Sequence, residues 1–78
     1  MKFWRSVNGG ENYTVTLQGN LVRLTKDSGT PESFGGNDVH ISRFLRSNKL
    51  QQHIKDVFGE AKFLEIHYAA RAKVDENI

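Results

Sequence analysis

Residues 12–26, NYTVTLQGNLVRLTK, decide the fold, because polar and apolar residues alternate on both sides of a Gly-Asn pair. Alternation at period two marks a half-buried strand, and Gly19-Asn20 suits a two-residue hairpin turn because both types tolerate positive φ. With that turn, Leu17 faces Val22 and Val15 faces Leu24. Tyr13 extends this apolar face. The opposite face sets Thr14 against Thr25 and Thr16 against Arg23, and only Leu21, beside the turn, breaks the pattern.

Upstream lies FWRSVN, residues 3–8, with the chain's single tryptophan, followed by Gly9-Gly10. Side chains alternate faces along a strand, so a slip of one residue in the turn inverts all of them. A three-residue loop, Gly9-Gly10-Glu11, pairs Val7 with Tyr13 and Phe3 with Leu17 and leaves Trp4 outside. A two-residue Gly9-Gly10 loop, or a four-residue one, pairs Trp4 with Val15 and turns Phe3 and Val7 to the open side. The first arrangement exposes one large apolar residue instead of two, so Trp4 is expected outside or at the sheet edge.

Downstream, residues 27–38 hold the only proline and three of the seven glycines and read as a long flexible loop. Phe34 within it is expected to plug the core. Val39 and Ile41 flank His40 in a short strand. Residues 42–46 read as an irregular or helical turn. A helix then follows, with Ser47 as N-cap, Leu50, Ile54, Val57 and Phe58 on one face, and Gly59 as its stop. From Lys62 to Lys73, Leu64, Ile66, Tyr68, Ala70 and Ala72 alternate with Glu65, His67, Arg71 and Lys73, which predicts a long amphipathic strand. Residues 74–78 read as a frayed tail. The expectation is one α+β domain over residues 1–78. Its mostly antiparallel sheet has three to five strands in the order ββ(β)αβ, with one helix on one face.

Composition narrows the function. At 78 residues, everything the chain does must use one sheet or one helix. The absence of cysteine excludes disulfides and thiolate metal sites and fits a reducing compartment. A net charge of +2 is too weak for a dedicated nucleic-acid binder and of the wrong sign for a DNA mimic. No apolar run reaches membrane-spanning length and MKFWRSV does not open a signal peptide, so a cytoplasmic protein without a membrane partner is expected.

Catalysis finds no support. No nucleophile elbow marks a serine, and the glycines match neither phosphate-binding pattern, G-x-x-x-x-G-K-[ST] or G-x-G-x-x-G. His40, His53 and His67 stand apart in sequence. Glu65 and His67 would share a strand face, but an ordinary solvated face explains them, so no metal or cofactor is expected.

What remains is a binding module that occupies a surface of a larger host protein or complex. Small domains of this kind are often carried by phages and mobile elements as inhibitors of a host system, such as a CRISPR defence nuclease or a polymerase; that expectation rests on size and elimination. The partner-binding candidates are Trp4, Arg5, Arg23, Arg43, Arg46, Lys49 and Arg71, because aromatic residues and arginines dominate binding hot spots. Arg43, Arg46 and Lys49 cluster at the expected helix start, where cations oppose the macrodipole and so suggest an anionic partner. The alternative is nucleic-acid binding by the open sheet face, through Thr14, Thr16, Arg23, Phe63, His67, Arg71 and Lys73. An unpaired edge on the first or last strand also makes a homodimer an expectation.

Overall fold

A computed structural model describes residues 2–26 and 38–76. Four strands, β1 (Lys2–Asn8), β2 (Glu11–Gln18), β3 (Leu21–Lys26) and β4 (Asp38–His40), form one antiparallel sheet in sequence order. Three helices follow, α1 (Ile41–Arg46), α2 (Asn48–Phe58) and α3 (Glu60–Glu76). The class is α+β, an antiparallel sheet with helices packed on one face.

The β2–β3 hairpin has the register read from the sequence: Leu17 faces Val22, Val15 faces Leu24, Thr16 faces Arg23 and Thr14 faces Thr25. Gly19 supplies the positive φ of 59°, and Asn20 does not need one, as in a turn with glycine at the first central position. The first hairpin corrects the expectation. Trp4 pairs with Val15 and Asn8 with Glu11, so the loop is Gly9-Gly10 alone, with φ of 61° and 84°. Two consecutive positive φ values match the twist of the flanking strands and cost glycine nothing. A three-residue loop would instead place Glu11 in the left-handed region, where a side chain clashes with its own backbone. The turn therefore favours the register that the apolar count disfavours, and in the fold Trp4 packs half-buried against the core on the helical side of an edge strand.

The second correction is α3. The stretch read as a final strand is helical throughout, and the helix extends over Val74, Asp75 and Glu76, which were expected to fray. Phe63, Ile66 and Ala70 are its buried residues, at intervals of three and four, and half-buried Val74 continues their stripe. The expected loop, with Phe34, lies outside the described residues up to Asp38, which opens β4.

The sheet contributes Val15, Leu17, Val22, Leu24 and Val39 to the core, against Ile41, Phe44, Ile54 and Ile66 from the helices. Each full burial of such a side chain is worth about 1.5–3 kcal/mol. Polar bonds set the helix ends. His40 Nδ1 accepts from the Ser42 amide at 3.1 Å and caps α1. Ser47 Oγ accepts from the Leu50 amide at 3.2 Å and caps α2, as expected. The Gln51 amide donates to the carbonyls of Phe44 and Leu45, both at 3.1 Å, closing the end of α1. Ser6 Oγ donates to the Val57 carbonyl at 2.8 Å and fastens α2 to β1.

Candidate functional site

Because β1 is an edge strand and α3 lies beside it, the two elements enclose a groove lined by Lys2, Phe3, Trp4, Glu65, Tyr68, Ala69 and Ala72. The four α3 residues recur at i, i+3, i+4 and i+7, so they form one stripe of the helix. Trp4 Nε1 donates to Glu65 Oε2 at 3.2 Å, which ties the strand to the helix and orients the indole. Trp4 and Tyr68 thus share one concave surface, while Phe3, next to Trp4 along β1, turns its side chain to the open face of the sheet. Phe3 is 55 % exposed and Tyr68 69 %, although both carry enough apolar area to repay burial.

The sheet's other face has no helix on it. Pairing sets Phe3 beside Thr16, Arg23 and Asp38 in one row, and Arg5 beside Thr14 and Thr25 in the next. Val7, 65 % exposed, and Leu21, 41 % exposed, add apolar surface. Arg23 grips Asp38 with two bonds, Nε to Oδ1 at 2.7 Å and Nη2 to Oδ2 at 3.0 Å. These bonds hold the Asp38 carboxyl below its ordinary pKa and raise that of Arg23. Arg23 is therefore engaged within the fold, whereas Arg5 is exposed on the open face.

The remaining candidates fall on the helical side. Arg43 and Lys49 line a groove between α1 and α2, with Asp56 opposite. Arg46 and Arg71 line another between α1 and α3, with Ser42, Leu45 and Val74. Arg43 and Arg46 occupy the last turn of α1, where a cation favours the macrodipole, so only Lys49, in the first turn of α2, opposes one. The seven partner-binding candidates therefore occupy four surfaces.

The nucleic-acid set does not assemble on the sheet. Thr14, Thr16 and Arg23 are on the open face, but Phe63 is buried in the core and His67, Arg71 and Lys73 are on α3. His67 is half-buried with its ring 5.8 Å from Phe63. Glu65 and His67, two apart on a helix, point in different directions, and no group of three or more metal-ligating side chains occurs among the described residues. No helix among those residues is long and apolar enough to cross a membrane.

Sequence reasoning missed Phe3, Glu65 and Tyr68 as groove residues. The signal was present as the spacing of Glu65, Tyr68, Ala69 and Ala72, which only a helical reading turns into one face. Comparison of the chain with family models, curated proteins and solved structures finds no match.

Proposed function

We propose that this chain is a non-catalytic binding module that holds a larger partner protein at the β1–α3 groove, with the adjoining open sheet face completing the contact. The observation that carries this reading is the meeting of Trp4 and Tyr68 in one groove, Tyr68 69 % exposed, beside Phe3, which stands 55 % exposed on the open face of the same edge strand. Aromatic side chains in a concave setting are the usual anchors of a binding hot spot, since they remove much area from water at little entropic cost. Apolar Val7 and Leu21 and the cation of Arg5 supply the surrounding surface. Such a module acts by occupying a surface, as an inhibitor of a host complex would.

The test begins with capture of a partner and measures its affinity, once purified, for wild type, Trp4→Ala, Tyr68→Ala and Arg43→Glu/Arg46→Glu. Each groove variant is expected to weaken binding by at least about 2 kcal/mol, and the distant double reversal by much less. Unchanged affinity for both groove variants, with circular dichroism intact, would overturn the reading.

A second reading rests on the α1–α3 groove, where Arg46 and Arg71 meet with no acidic residue in the lining. With Arg43 and Lys49, four cations flank α1, which suits a nucleic-acid backbone. Four phosphate contacts on a single strand give a slope of log affinity against log salt of about −2.8. Arg46→Glu/Arg71→Glu should roughly halve that slope, whereas salt-independent oligonucleotide binding would exclude this surface.

A further inference from the structure

We infer that the β1–α3 groove receives a positively charged side chain of the partner, an arginine or a lysine. The inference rests on the protein-binding reading and specifies what that groove recognises. Two of its walls are aromatic, Trp4 and Tyr68, and a third is the carboxylate of Glu65. The face of an aromatic ring carries negative potential, so a cation gains from ring and carboxylate together. Glu65 accepts the indole N–H through Oε2, which holds the carboxylate at the groove while its second oxygen has no bond to any described residue. On the helix stripe that carries Glu65 and Tyr68, the two remaining positions are Ala69 and Ala72, whose methyl groups leave the space between the rings open to a long side chain.

Other occupants fit worse. An anion would meet the aromatic rings and Glu65, with only the exposed Lys2 to offset them. A neutral apolar side chain would cover the carboxylate and supply no partner, and an ion removed from water without compensation costs several kcal/mol. The guanidinium of arginine suits the site well, because its plane stacks on rings while its edge donates to a carboxylate. Lys2 is the one cation in the lining, and it is exposed. It competes with the incoming charge, so its removal should tighten binding.

Trp4 is the sole tryptophan and sits in the groove, so its fluorescence reports occupancy directly. The full chain is titrated with N-acetyl-arginine methylamide and with the citrulline analogue, which keeps the shape and loses the charge, at constant ionic strength. The arginine probe should produce a saturable change in emission, and citrulline should bind about tenfold more weakly. Glu65→Gln should remove most of that preference, Tyr68→Ala should weaken the arginine probe, and Lys2→Ala should strengthen it. Equal binding of the two probes, or no saturable response to arginine, would overturn the inference. If partner affinity still falls in Trp4→Ala and Tyr68→Ala, the protein-binding reading survives and only the charge assignment fails; if it does not, that reading fails first.

Discussion

Gly59 carries φ 84° and ψ 164°, a combination that essentially only glycine adopts. It is the single residue between α2 and α3, and its amide donates to the Lys55 carbonyl at 2.8 Å. A Cβ there would meet no atom within 4 Å, so the cost of a substitution is purely conformational. Gly59→Ala should therefore destabilise the fold by about 1–3 kcal/mol in denaturant unfolding. The Arg23–Asp38 pair makes a second prediction at this scale. The folded pKa of Asp38 is depressed, first by the hydrogen bond from Arg23. Its contribution to stability is complete above the unfolded value and disappears as pH falls through the folded one. Arg23 remains protonated throughout and adds no pH dependence of its own. Lowering the pH through and below about 4 should thus cost wild type more thermal stability than Asp38→Asn, and identical acid limbs would refute the link.

Among the elements, α3 is the one whose character the sequence disguises. Leu64, Ile66, Tyr68 and Ala70 alternate as a strand would, while Phe63, Ile66, Ala70 and Val74 repeat as a helix does, and Ile66 and Ala70 belong to both patterns. Burial separates the two: Ile66 is 0 % exposed and Leu64 43 %. Ile66→Ala should then cost about 2–5 kcal/mol. Leu64→Ala should stay within about 0.5 kcal/mol. Similar losses at both positions would favour a strand. The edge of β1 offers another test. Asn8 and Glu11 close the two-residue loop as a bonded pair, so Phe3, Arg5 and Val7 turn their backbone groups away from β2. The Lys62 ammonium donates to the Arg5 carbonyl in the middle of that row. A charged side chain laid over an edge strand from a neighbouring helix discourages pairing with another chain. Lys62→Ala should accordingly raise concentration-dependent self-association in sedimentation, and an unchanged distribution would show the edge guarded by something else. This contact also counts against a homodimer through the first strand, and the stretch expected as the last strand is a helix.

Across the whole molecule, the helices cover one face of the sheet and the described residues leave the other open, so every surface candidate is sorted by which side of one layer it lies on. That sorting decides how the arginines can act. Arg23, expected beside Arg71 on one face, is across the sheet from it, and Arg71 instead joins Arg46. Arg46→Glu/Arg71→Glu should therefore behave as one lesion, leaving the Trp4 emission response to the arginine probe unaltered, because the two grooves share no lining residue. Coupling between them would argue for a single continuous surface. The sequence by itself determined the β2–β3 register, the capped α2 helix and the α+β class. These depend on signals that act within a few residues: alternation, turn chemistry and a hydroxyl three positions before an amide. Only the tertiary structure decided the direction of Trp4 and the character of α3. In both places two local patterns were nearly balanced, and the balance was broken by contacts distant in sequence: the indole of Trp4 against Glu65, and Ile66 against the sheet. The groove inherits that dependence, since its aromatic walls are about sixty residues apart and come together only when both choices have been made.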